Sequence, residues 1–172
     1  LRFFAALLRA GALASVFALA QTASVQAAAA LGQPVNGIKC ESMEGSVFHI
    51  HQHLSLYAHG RAVTVPALIG IPPVGSCLYW VHTHTPDGLI HIESPAYRDF
   101  YLGDFFDIWG QPLSATNVAG IHLAKGQLHA YVNGRRWTEK PRSIPLTLHA
   151  DIVLEAGPPY FTPKPFTAWA GQ

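Results

Sequence analysis

The sequence predicts an α+β fold: a β-rich single domain, mostly antiparallel sheet, with one amphipathic helix packed on it. Three observations predict this. Apolar and polar residues alternate with period two from Val47 to Tyr57, turn signals separate several further short apolar runs, and one stripe of helical spacing stands alone at residues 102–109. A β-sandwich or barrel is the alternative arrangement of the same strands.

In residues 47–57, His49, His51, His53, Ser55 and Tyr57 share one face, and Phe48, Ile50, Leu54 and Leu56 share the other with Gln52 as its one polar member. His59-Gly60 is a turn, after which Val63, Val65, Ala67, Ile69 and Ile71 line one side of a returning strand. Pro66 lacks an N–H, which argues for an edge or a bulge there. Residues 78–85 and 89–94 read as two strands joined by the turn Pro86-Asp87-Gly88. Leu102, Phe105, Phe106 and Trp109 are spaced i, i+3, i+4 and i+7, with Asp104 and Asp107 expected to face outward and Gly110 and Pro112 to end the helix. Leu128, Ala130 and Val132 alternate into Asn133-Gly134, a type I′ hairpin signal. Residues 144–149 and 152–155 are expected to be two more strands.

The chain has 172 residues, enough for one domain with a substantial core. Residues 1–27 read as an export signal: Arg2 and Arg9 supply the positive region, Gly11 to Ala20 the apolar region, and Val25-Gln26-Ala27 a cleavage site after Ala27. An uncleaved anchoring helix is the competing reading. Residues 28–46, rich in Gly, Pro, Asn and Ser, form an extended lead-in; residues 47–157 form a His-rich domain; residues 158–172 form a Pro-rich, aromatic tail. Export places the chain in a periplasmic or secreted setting, where Cys40 and Cys77 are expected to form one disulfide, with soft metal ligation as the alternative. The mature form is expected to have no membrane span. A formal net charge of +1 with 12% charged residues leaves no basic footprint for nucleic acid. No Gly-x-Ser-x-Gly elbow, P-loop or dinucleotide turn occurs, so serine-nucleophile and nucleotide chemistry are poor fits.

Ten histidines stand against one methionine. They concentrate in three clusters: His49-x-His51-x-His53, His82-x-His84 and His91-x-Glu93. Residues two apart on a strand point the same way about 6.7 Å apart, close enough for paired imidazoles to lean onto one ion. Several buried imidazoles would each need a hydrogen-bond partner, whereas one metal ion satisfies several at once. The candidate ligands are therefore His51, His53, His82, His84 and His91, with His49 at the strand entrance a further candidate. The outer members of the first cluster are about 13 Å apart along the strand, so at least one should lie off the ion or serve another. Imidazole suits zinc, copper, nickel and iron, and Met43 as the lone thioether argues against a Met-rich copper(I) site. Copper or zinc is the expected ion. His59, His122, His129 and His149 read as ordinary surface or satisfied residues.

The strings His49-Ile-His-Gln-His-Leu54 and Val65-Pro-Ala-x-Ile-Gly-Ile71 carry a resemblance. So do His82-Thr-His-Thr85 with Gly88-x-Ile-His-x-Glu-Ser-Pro95, and Leu102-Gly-Asp-Phe-Phe-x-x-Trp-Gly110. Together they resemble a largely uncharacterised family of bacterial and archaeal secreted or membrane-anchored proteins, over residues 47–134. The resemblance implies that the clusters belong together and implies no activity. Its members carry Thr before the helical Leu-Gly, where Tyr101 stands here, so the helix cap is expected from elsewhere, with Asp99 a candidate.

Three functions fit. The first is a copper or zinc carrier or buffer with protein ligands only. The second is a metal-dependent hydrolase or lyase, in which three His hold the ion and Glu93 or Asp87 is the base. Asp87 also reads as a plain turn residue and Glu93 as a carboxylate that orients an imidazole. The third is a structural metal. The partner in each case is a metal ion; no protein partner is implied.

Overall fold

The computed structural model describes residue 29 and residues 32–73, 77–161 and 164–169. The export segment expected at residues 1–27 lies outside them. Among the described residues no helix is long and apolar enough to cross a membrane.

The strands are β1 (Cys40–Glu41), β2 (Phe48–Ala58), β3 (Arg61–Val63), β4 (Leu78–Tyr79), β5 (Val81–His82), β6 (Leu89–Ser94), β7 (Asn117–Val118), β8 (Ile121–His122), β9 (Leu128–Val132), β10 (Arg135–Trp137) and β11 (Asp151–Ala156). The helix is α1 (Leu102–Trp109). Seven strands form the main sheet in the order β10-β9-β11-β2-β6-β5, with β3 also on β2. All its pairs are antiparallel except β11 with β2. Among the described residues the main sheet stays open and does not close into a barrel. β2 is its spine: the N-terminal half pairs with β6 and the C-terminal half with β11 and β3.

The alternation read from β2 decides which face packs. Ile50, Leu54 and Leu56 join Ile90, Ile92, Ile152 and Leu154 in one core cluster, with Leu102, Phe105 and Phe106 of α1 in the same cluster. Gln52, the polar member of that face, is fully buried with neither amide atom hydrogen-bonded. The helix stops at Gly110, whose φ of 71° is the left-handed conformation expected of a C-terminal glycine. Asp104 does not face outward. It is buried, and its Oδ2 accepts the Tyr101 N–H at 3.0 Å while its Oδ1 accepts from Asn36 at 2.9 Å. Asp104, and not Asp99, therefore satisfies the helix start, where a carboxylate also meets the positive end of the helix dipole. Asp107 pairs with Arg142 at 2.9 Å. Asn133 (φ 50°) and Gly134 (φ 74°) make the type I′ turn between β9 and β10.

Three expected strands differ. The returning strand ends at Val63, and residues 67–70 form a turn with Leu68 at φ 60° and Gly70 at φ 76°. Pro66 cannot donate to a ladder. The next amides bond irregularly across to the chain around β5, Leu68 N–H to Thr83 and Thr83 N–H to Ile69. The strand expected at 78–85 is split by Trp80 into β4, paired with β1, and β5, paired with β6. Trp80 sits at the switch, its indole N–H donating to the Glu41 carboxylate at 2.8 Å. Residues 144–149 form no named strand: Pro145 makes an isolated bridge to Tyr101, the Leu146 N–H donates to the Phe100 carbonyl, and residues 148–149 turn, with His149 at φ 55°.

Cys40 and Cys77 are bonded, with Cα atoms 5.3 Å apart, and close 37 residues of chain. This ties the lead-in to β4. Reduction is expected to cost about 3–4 kcal/mol by the loop-entropy relation. Thiol labelling of unfolded, unreduced protein should find no free thiol, and chemical denaturation with and without reductant should show the loss. Two reactive thiols would contradict the pairing.

Candidate metal centre

The register of three strands builds the site. His51 on β2 lies opposite His91 on β6, and His91 lies opposite His82 on β5, so one rung across the sheet carries three imidazoles. Two residues along, on the same face, His49 lies opposite Glu93. Period-two alternation puts His49 with His51, and His91 with Glu93, on a common face, away from Ile50, Ile90 and Ile92.

The donor atoms converge. His49 Nε2 is 3.1 Å from His51 Nε2, and His51 Nε2 is 3.0 Å from His91 Nδ1. His82 Nε2 is 3.1 Å from His84 Nε2. Glu93 Oε1 is 3.2 Å from His49 Nε2 and 3.5 Å from His91 Nδ1. A tetrahedral ion with bonds of about 2.0–2.1 Å spaces its donors about 3.3 Å apart, so these separations, which also lie in hydrogen-bond range, are compatible with a ligand set. The donors form two quartets, His49-His51-His91-Glu93 and His82-His84-His91-Glu93, each with its ligand atoms within 4.8 Å of one another.

Burial tunes the groups. His82 is fully buried, and its Nδ1 lies 2.8 Å from the Tyr79 carbonyl. A carbonyl only accepts, so Nδ1 carries the proton and Nε2 presents its lone pair toward His84. This backbone hold on the far ring nitrogen is the usual device for aiming a metal-binding imidazole. Burial first, then unfavourable charge interaction with neighbouring imidazoles, lowers His51 and His82 to about 4 and His91 to about 3. All three are neutral at pH 7, as ligands must be. Glu93 is pushed up to about 7, by burial first and by Glu44 second. Its Oε2 is buried with no hydrogen-bond partner, a costly state that a bound cation would relieve.

Glu44 was not legible as a site residue. Its Oε1 is 3.9 Å from His84 Nε2. It reaches the cluster because the Gly45 N–H donates to the Glu93 carbonyl at 3.3 Å, laying the lead-in against β6. A Cβ at Gly45 would come within 2.3 Å of the Ser94 carbonyl carbon, so only glycine permits this approach. The sole hint in the sequence was an acid beside a glycine, far along the chain from Glu93.

His53 does not join the quartets. It is two residues beyond His51 on β2, and its Nε2 lies 2.9 Å from the Asp87 carbonyl, to which it donates. Its Nδ1 is 3.7 Å from Asp151 on β11, and its ring stacks on Phe166 of the tail with centroids 3.7 Å apart. The tail thus covers this end of the histidine row, with Trp169 stacked on His149. Asp87 also lies outside both quartets. Its Oδ1 accepts the Leu89 N–H at 3.0 Å, which closes the turn between His84 and His91. Burial acts to raise the Asp87 carboxyl, but that N–H and other donors hold it below its ordinary value. His129 stacks on Tyr160, away from the site. His84 and His49 are the exposed members, their side chains 41% and 53% accessible.

No family model, no curated protein and no solved structure matches the chain.

Proposed function

We propose that this domain is an exported transition-metal-binding protein, a copper or zinc carrier or buffer, that holds its cargo among His49, His51, His82, His84, His91 and Glu93. The observation that carries the reading is the convergence of five imidazoles and one carboxylate at metal-ligand spacing. The neutral state of the buried imidazoles and the unpartnered Glu93 oxygen support it. An oxidising compartment fits the Cys40–Cys77 disulfide, and the export signal expected at residues 1–27 belongs to the same proposal. Imidazole-rich, thiolate-free ligation suits copper(II) and zinc.

A metal-dependent hydrolase or lyase is the second reading. One observation favours it: the Glu93 Oε1 stands 3.2 Å from His49 Nε2 and 3.5 Å from His91 Nδ1, where a carboxylate can take a proton from a water held beside those donors.

Calorimetric titration of metal-free protein with Cu(II) and then Zn(II) tests the proposal. Saturable binding with a dissociation constant of about 1 μM or tighter is expected, about 8 kcal/mol of binding free energy. Heats indistinguishable from dilution for both ions would contradict it.

A further inference from the structure

We propose that the centre takes two ions side by side, one at His49-His51 and one at His82-His84, with the Glu93 carboxylate bridging them and His91, whose neutral ring offers one lone pair, bonded to the ion at His51. This deepens the metal-binding reading above and rests on it.

The donors force the division. An ion bonded at about 2.0–2.1 Å cannot hold two donors more than about 4.2 Å apart. The six donors do not form one compact set. They form two sets of four that have only His91 and Glu93 in common, so His49 and His51 serve one position and His82 and His84 the other. Of the two common residues, Glu93 has an oxygen for each ion, whereas neutral His91 offers one lone pair, and its Nδ1 lies 3.0 Å from His51 Nε2. Glu93 turns Oε1 toward His49 and His91, and its Oε2 is a buried oxygen with no partner. The His91 ring stands between the two pairs, its centroid 4.5 Å from that of His51 and 4.6 Å from that of His84. A bridging carboxylate of this kind is how two-metal sites hold ions about 3.5–4 Å apart.

The two positions are unequal. Each combines a buried imidazole (His51, His82) with an exposed one (His49, His84). Among the described residues, His82 alone of the quartet imidazoles has its far nitrogen fixed by a backbone carbonyl, at 2.8 Å from Tyr79. Its lone pair is aimed before any ion arrives, so less ordering is needed on binding. The His82-His84 position therefore fills first and more tightly. The His49-His51 position fills second, and its exposed His49 is the route by which the second ion enters and leaves.

The test is copper stoichiometry by elemental analysis after desalting, with calorimetry and electron paramagnetic resonance on the full chain. Two Cu(II) per chain are expected in two resolved steps. The parent spectrum should be broadened or reduced below two independent spins by the coupling of nearby ions. His82→Ala/His84→Ala should keep one ion and lose the tighter step, and His49→Ala/His51→Ala should keep one ion and lose the weaker step. Each should show an isolated copper signal. If either pair fails to fold, His84→Ala and His49→Ala singly, both at exposed positions, should weaken one step at least tenfold and leave the other. One ion per chain in the parent would overturn the two-ion proposal while leaving the metal-binding reading intact, and so would loss of all copper in either variant. Two ions giving the plain sum of isolated signals would overturn the bridging by Glu93. No copper in the parent would overturn both readings.

Discussion

Replacing His91 with Ala is expected to weaken binding of Cu(II) and Zn(II) by about 100-fold or more, beyond the 10–100-fold typical of losing a residue that only supports a ligand. His91 belongs to both quartets, and its Nδ1 is the atom 3.0 Å from His51 Nε2 and 3.5 Å from Glu93. No other histidine has that position. The backbone ladder of β6 to β2 and β5 does not depend on its side chain, so far-ultraviolet circular dichroism should be unchanged. His129→Ala, a change away from the cluster, should leave the affinity as it is. Equal affinities for parent and His91→Ala would place the ion elsewhere.

Acidifying the metal-free protein from pH 7 to 4.5 is expected to destabilise it by several kcal/mol. The sign follows from proton binding. His51, His82 and His91 take up protons in the folded state only near pH 4, 4 and 3, whereas in the unfolded chain they do so near 6.5. Below 6.5 the unfolded state therefore binds more protons, and stability falls as pH falls until the folded values are reached. A pKa lowered from 6.5 to about 4 is worth about 3 kcal/mol. Glu93 works in the opposite direction. Raised to about 7, it binds a proton in the folded state before the unfolded chain does, which offsets about one of the three imidazoles. The remainder is a large part of a typical folding free energy of about 5–15 kcal/mol. Thermal unfolding of metal-free protein across this range should show a midpoint lowered by more than about 10 °C. A flat or rising midpoint on acidification would contradict the burial of neutral imidazoles.

The rung that builds the site was legible because strand periodicity is local. Alternation in residues 47–57 put His49 and His51 on one face, and the short turn at Pro86-Asp87-Gly88 brought residues 89–94 back beside residues 81–82. The pairing of β2 with β6, which sets His51 against His91, was not local. It joins segments about 40 residues apart, and no residue pattern specifies that register. The same limit hid Glu44, which enters through a backbone contact at Gly45, and it kept His53 on the ligand list. His53 has the periodicity of a ligand, but the parallel strand β11 begins beside it and brings Asp151, and the tail adds Phe166. Asp104 shows the other kind of failure. Its helical phase pointed to solvent, yet the unsatisfied N–H at Tyr101 drew it inward. The strand expected through residues 63–71 failed because Pro66 has no N–H to offer, and the chain found partners at residues 79 and 83 instead.

The most direct measurement of the central claim is an anomalous-difference map from crystals of the copper- or zinc-loaded protein, with data collected at the absorption edge of that metal. Density is expected on the histidine-bearing face of the β2-β6-β5 rung, within about 2.0–2.2 Å of His82 Nε2 and of other members of the two quartets. A map with its peaks at other residues, and none among His49, His51, His82, His84, His91 and Glu93, would contradict it.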